Sequence, residues 1–231
     1  MLVLAATAAV LGPYRVAPID LLAFLAAKAT GAASPLPAPA EAVILQIRLP
    51  RVFAATAVGV ALAAAGAAYQ SLFRNPLVSP DILGVSSGAA FGAVVGIYLS
   101  LPILAIEAAS FAGGLAAVII VYAIAVAIRG RDAVLVLVLA GVVIGALFGA
   151  GVGLLKYLAD PYNQLPAITV WLLGSLAAAN PRDLTNLLPA VAIGLIPLAL
   201  LRWRIDVMTL GDEEATALGI NELDPENETG G

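Results

Sequence analysis

The chain alternates between long apolar runs and short polar breaks. Runs of about 20 apolar residues without charge mark helices long enough to cross a bilayer. Val52 to Phe73 is one, and Ile82 to Ile106 is a second, with an expected break near Leu101-Pro102. Ala108 to Ile128, Ala133 to Leu155 and Leu184 to Leu201 complete five full spans. Leu2 to Leu11 is shorter and reads as part of a sixth, shortened first span. A signal peptide is the other reading of such an N-terminal run. Its basic flank is missing, and Gly12-Pro13-Tyr14-Arg15 is not a small-residue cleavage site. The pattern therefore predicts an all-α, polytopic membrane protein with about six transmembrane helices.

The breaks carry their own predictions. Ala32 to Ala40 (AASPLPAPA) has three prolines in nine residues and reads as an extended linker. Asp160 to Asp183 is too polar at its ends to span. It predicts a short helix over Ala167–Ala178, lying on the membrane or re-entering it. RNPLVSPDILG, Arg74 to Gly84, predicts a tight turn between antiparallel spans. Proline disfavours helix at the residue before it, so the preceding span ends by Arg74-Asn75. Ser79-Pro80-Asp81 then starts a helix: serine caps, proline suits the first turn, and aspartate meets the positive end of the dipole.

Composition agrees with lipid as the solvent. Of 231 residues, 62% are hydrophobic and 11% charged, against about 25% charged in soluble domains. Mean hydropathy is +1.04. There is no cysteine and no histidine, which removes thiolate and imidazole metal sites and the commonest general base. The net charge of −4 divides along the chain. Residues 1–205 hold all eleven basic residues against seven acids, and residues 206–231 hold eight acids and no base. Neither part suits nucleic acid. Arg74, Arg129, Arg131, Arg202 and Arg204 alternate onto one side, which the positive-inside rule assigns to the cytoplasm. Arg15, Lys28, Arg48 and Arg51 oppose this from the long segment between the first two spans and Lys156 and Arg182 from short loops, so the raw count is nearly even and the greater weight of short loops decides.

Two glycine stripes signal close helix packing, Gly88-Gly92-Gly96 and Gly141-Gly145-Gly149-Gly153. A sharper reading is that such a face lines a cavity or dimer seam, for which the second stripe is the better candidate. No P-loop motif occurs. No acid lies in mid-span, which counts against a proton-driven carrier. Gln70 is the most polar residue inside a span and reads as interhelical glue or a pathway group. No nucleophile–base pair is visible, so no catalytic residue is assigned.

Arg48 to Gly92 is similar, nearly residue for residue, to the signature of FecCD-type permeases of ABC importers, which carry iron–siderophore complexes, haem or cobalamin. Arg-Leu-Pro-Arg, Gln70, Asn75-Pro76-Leu77, Pro80, Leu83-Gly84 and Gly88-Ala89 carry the match. VWLLGSL, Val170 to Leu176, resembles the family's Trp-x-x-Gly-Ser-Leu segment, and LGDEEATALGI, Leu210 to Ile220, resembles its coupling segment. The resemblance implies a multi-pass permease in the cell inner (plasma) membrane, with no resident cofactor. Its implied partners are separate ABC ATPase subunits, a periplasmic or lipid-anchored substrate-binding protein, and a second permease subunit. It implies that Arg48 and Arg51 meet carboxylates of the binding protein, for which arginine's planar fork is suited. It also implies an ATPase-coupling helix carrying Leu210, Gly211, Glu213, Glu214, Ala215, Leu218 and Gly219. Gln70, Asn75, Pro76, Gly141, Gly145 and Gly149 are pathway or inner-mouth candidates. The family has about ten spans, so the chain reads as the N-terminal part of that fold. It is expected to divide into a transmembrane domain (1–205), a coupling segment (206–220) and an acidic, disordered tail (221–231). A non-transporting membrane fragment that still binds the ATPase is the runner-up, and a secondary transporter the third reading.

Overall fold

Backbone groups in hydrocarbon must bond within their own segment, so a chain this apolar folds into helices. The computed structural model describes residues 16–128, 133–177 and 179–208, and every regular element among them is helical. The elements are α1 (Pro18–Thr30), α2 (Ala38–Leu72), a 3-10 turn (Pro80–Leu83), α3 (Val85–Tyr98), α4 (Ile103–Ala127), α5 (Ala133–Leu158), α6 (Gln164–Leu173) and α7 (Pro181–Met208). Four of them, α2, α4, α5 and α7, are long and apolar enough to cross a membrane, and α3 and α6 are shorter apolar helices. The short run Leu2–Leu11, the coupling segment and the acidic tail lie outside the described residues.

Several boundaries differ from the sequence expectation. α1 was not foreseen, and α2 begins at Ala38, fourteen residues before the charge-free run does. The linker therefore shrinks to residues 32–37. Glu41, Arg48 and Arg51 interrupt a run of apolar residues without interrupting a helix. Pro50 is also accommodated. It has no N–H to donate and its ring crowds the carbonyl four residues back. The helix widens into a π segment over Val43–Arg48 just before it, and the Leu49 N–H donates to the Ile44 carbonyl five residues back. The run Ile82–Ile106 breaks at Leu101-Pro102, where the sequence expects it, and consists of the 3-10 turn, the fourteen-residue α3 and the first turn of α4. The short helix expected over Ala167–Ala178 begins earlier, at Gln164, and stops at Leu173. Gly174 ends it with φ 66° and ψ 146°, a conformation open to glycine.

The chain forms two compact units, Met1–Ala64 with Ser175–Leu201, and Ala65–Gly174 with Arg202–Gly231. In the first, Val16, Leu21, Phe24 and Ile44 form a small core, with Leu36, Leu45, Leu49 and Val52 packed against it. Lys28 at the end of α1 pairs with Glu41 at the start of α2 at 3.3 Å. Lys28 is mostly exposed, so the pair contributes at most about 1 kcal/mol.

The second unit is built on α3, which packs antiparallel to α4. The position of a Cβ on Gly88 falls against the Gly113 carbonyl and 2.8 Å from Ala117 Cβ, on Gly92 against the Ala109 carbonyl, and on Gly96 3.2 Å from Ile106. The first glycine stripe is thus a packing face with the backbones nearly touching. Large apolar side chains of α4 point the other way: Leu104, Phe111, Leu115, Ile119, Tyr122 and Val126 are exposed along one face. Small residues inside and large ones outside is the arrangement expected where lipid replaces water and close approach replaces the hydrophobic effect. At about 21 Å, α3 is shorter than the hydrocarbon thickness. Its burial among other helices permits that, because irregular backbone at membrane depth is tolerated inside protein.

Candidate functional site

The turn from Phe73 to Gly84 is built almost wholly by local chemistry. α2 closes with a Schellman motif. The Asn75 N–H reaches the Gln70 carbonyl at 3.1 Å and the Arg74 N–H the Ser71 carbonyl at 3.2 Å. Arg74, not glycine, takes the left-handed position, with φ 48°. The Asn75 side chain then accepts from the Leu77 N–H at 2.9 Å, an Asx turn that carries the chain past Pro76. Ser79 caps the 3-10 turn by accepting from the Asp81 N–H at 3.3 Å. Gly84 is left-handed, and Asp81 Oδ1 accepts from the Ser86 N–H at 3.3 Å in the first turn of α3. Phe73, Val78 and Leu83 fold under this turn into a core with Ala117, Val121, Ala140 and Ile144.

The second glycine stripe starts where this turn lands. Gly141 is buried against the Ile82 carbonyl, and Gly145 lies 3.6 Å, measured from its Cβ position, from Gly84 and from Ser87 Oγ. Gly149 and Gly153 meet nothing within 4 Å. The stripe therefore packs at its first half and is bare at its second. Of the inner-mouth candidates, Asn75 and Pro76 are exposed on the turn, and Gly141 and Gly145 form the surface beneath it. The Gln70 side chain is exposed one turn before the end of α2, and Gly149 stands further along α5.

The two arginines expected at the outer side sit in different surroundings. Arg48 closes the π segment, one turn from the fully buried Ile44, and is only 7% exposed. Arg51 is exposed, and its guanidinium donates to the Ala177 carbonyl. Leu210, Gly211, Glu213, Glu214, Ala215, Leu218 and Gly219 lie outside the described residues.

One polar group escaped the sequence reading. Gln164, half-buried at the first position of α6, donates from Nε2 to the Tyr98 carbonyl at 2.8 Å. Its Oε1 accepts from the Asp160 N–H at 3.1 Å. Only the polar cluster Asp160–Gln164 after a long apolar run hinted at it.

The model of the FecCD transport family matches residues 1–223. The chain is 42% identical over 179 residues to a probable iron chelatin transport system permease protein of Helicobacter pylori, covering 78% of this chain and 53% of that one. It is 36% identical over 180 residues to the molybdate import system permease protein MolB of Haemophilus influenzae, with the same coverage of 78% and 53%. A solved structure described as an inward-facing conformation of a metal-chelate type ABC transporter superposes with a TM-score of 0.78 at 31% identity, covering 95% of this chain and 65% of that one. The chain spans about half the length of the curated relatives it matches. With four helices fit to cross a bilayer, it is a multi-pass protein of the inner membrane. By the extent of the family match and by the turn, glycine and arginine positions it shares with the motif, this chain belongs to the FecCD transport family.

Proposed function

We propose that the chain acts as a permease subunit of a binding-protein-dependent ABC importer, moving a chelated metal such as an iron–siderophore complex, haem or cobalamin inward. The family is one of transport subunits, and ATP hydrolysis is assigned to a separate chain. The observation that carries the reading is the family match over residues 1–223. The solved structure's title and the Helicobacter pylori relative's name favour a chelate, while the molybdate relative keeps an oxyanion among the cargoes to be tested.

In this reading the acidic segment Leu210, Gly211, Glu213, Glu214, Ala215, Leu218 and Gly219 seats in the ATPase. The exposed Arg51 exchanges the Ala177 carbonyl for a carboxylate of the binding protein, a stronger, charge-assisted partner. Arg48 must be uncovered to join it. Asn75, Pro76, Gln70 and the stripe Gly141, Gly145 and Gly149 flank the inner mouth, with a second permease subunit completing the path.

The test is co-purification of an ABC ATPase with the chain, together with uptake of radiolabelled ferric siderophore, haem, cobalamin and molybdate into vesicles. The expected result is association that weakens when Glu213 and Glu214 are both changed to Lys, and uptake that needs ATP and survives a proton uncoupler. Uptake that survives ATP depletion and collapses with the proton gradient overturns the reading in favour of a secondary carrier. Association without uptake leaves a membrane subunit that binds the motor and does not transport.

A further inference from the structure

The C-terminal end of α3 leaves four carbonyls that its own helix cannot satisfy. Three are met by the chain that follows. The Leu99 N–H donates to Val95 at 3.0 Å, the Leu101 N–H to Gly96 at 3.0 Å, and the Ser100 N–H to Ile97 at 2.9 Å. The last two are a Schellman closure with Ser100 in the left-handed position, φ 54°. The fourth, Tyr98, receives the Gln164 amide. The same amide's oxygen closes the turn that starts α6, where Asp160 Oδ2 also accepts from Asn163 N–H at 2.6 Å and Tyr162 N–H at 3.2 Å. One side chain thus completes the end of one helix and the beginning of another, 66 residues away in sequence.

Beyond this bond, α6 is held by one apolar cluster. It is ten residues long, about 15 Å. Ile168 is its buried side chain, in a cluster with Ala93, Val94 and Ile97 of α3 and Ile106 of α4, with Leu155 of α5 packed against it, and Leu165 and Trp171 flank it at helical spacing. The rest of the helix is largely exposed, and its far end stops at Gly174.

We propose that Gln164 is a positioning residue that clamps α6 to the C-terminal end of α3, so that the two helices move as one body. The clamp stands on the geometry alone; its consequence for transport rests on the importer reading above. An apolar row at i, i+3 and i+6 lets a short helix roll or slide, because dispersion contacts are not directional. A hydrogen bond at each end of one planar amide does not.

The chain has no cysteine, so paired spin labels can be placed without background. Leu173→Cys reports the far end of α6. Leu104→Cys reports α4, which the glycine contacts join closely to α3; both positions are exposed. Distances are read by double electron–electron resonance on the whole chain in lipid nanodiscs, with Gln164 intact or changed to Leu, Glu or Asn. Leu removes both bonds. Glu keeps the acceptor for Asp160 N–H and sets a carboxylate against the Tyr98 carbonyl. Asn falls one methylene short. The expected result is a narrow distribution with Gln164 and a broadened or shifted one in each variant. In uptake assays, maximal rate falls several-fold in the variants while the binding-protein concentration giving half-maximal uptake is unchanged. Variants that elute and melt like the parent and keep its narrow distribution overturn the clamp. If Gln164→Leu does not fold, Gln164→Glu and Gln164→Asn decide. The distance needs no partner chain, so an unchanged distribution sinks the clamp and leaves the importer reading standing. A parent chain without ATP-driven uptake sinks that reading and leaves the clamp.

Discussion

Asp81 holds the 3-10 turn and α3 together with two different groups. Its N–H donates to Ser79 Oγ, and its Oδ1 accepts from the Ser86 N–H across the left-handed Gly84. The carboxylate also faces the positive end of the α3 dipole. Asp81→Ala removes the acceptor and the charge and keeps the backbone bond. The expected loss is about 0.5–2 kcal/mol, the range for deleted helix caps, read as a lower thermal midpoint in detergent. Asp81→Asn keeps an acceptor oxygen and loses less. An equal midpoint for Asp81→Ala and the parent removes this account. The residue was legible in the sequence because its partners lie within five positions. The same holds for Ser79, Pro80 and the Asn75-Pro76 turn. Gln164 was not legible, because its partner is a backbone carbonyl that any residue at position 98 would offer. Nor was the burial of Arg48, one turn from the buried Ile44.

At the scale of elements, counting charge-free runs measures contact with lipid and not helix length. That is why Val52 marked the start of the charge-free part of α2 while the helix starts at Ala38, and why α1, with Asp20 and Lys28, carried no such signal. The apolar run Ile82–Ile106, with its expected break near Leu101-Pro102, has a different cause. Its residues are apolar because α3 is buried in protein, and the Pro102 break cuts α4 off from it. The glycine stripes were legible as packing faces, but the sequence could not say which partner each one meets or how far the contact runs. The structure gives a sharp contrast within one stripe. A methyl on Gly141 collides with the Ile82 carbonyl, and one on Gly92 with the Ala109 carbonyl, whereas one on Gly149 or Gly153 meets open space. Gly92→Ala and Gly141→Ala should each cost about 1–3 kcal/mol, as overpacked cores do. Gly149→Ala and Gly153→Ala should be neutral or gain up to about 1 kcal/mol from helix propensity. Thermal unfolding of the four variants side by side checks this. Equal effects at 141 and 149 contradict the packing described here. A stable Gly149→Ala with impaired uptake is the outcome expected if the bare half of the stripe borders the path.

For the whole molecule, the contacts within the second unit fix which connections share an end. Gly141, near the start of α5, meets the 3-10 turn, and Val121 of α4 packs with Phe73 and Leu83, so the end of α4, the start of α5 and the turn 73–84 lie at one end. Gln164 meets Tyr98, so residues 99–102 and 159–163 lie at the other. Geometry gives the pairing of ends but not the side of the membrane each one faces. Charge supplies that. Arg74 belongs to the first end, Arg129 and Arg131 stand in the sequence between α4 and α5, and the positive-inside rule expects short arginine-rich loops in the cytoplasm. The second end carries Asp160 and two tyrosines, Tyr157 and Tyr162, each 86% exposed, as residues at a membrane–water boundary often are. The opposing arginines, Arg48 and Arg51, sit on a long segment, where the rule is weaker. Leu77, 89% exposed at the tip of the turn, and Tyr162 are therefore the two positions to mark. In this cysteine-free chain, Leu77→Cys should react with a membrane-impermeant maleimide only in inside-out vesicles, and Tyr162→Cys only in right-side-out ones. Reversed labelling overturns the orientation and leaves the fold intact. Labelling of both from one side contradicts the fold itself, because α3, a helix bonded at both of its ends, separates the two positions.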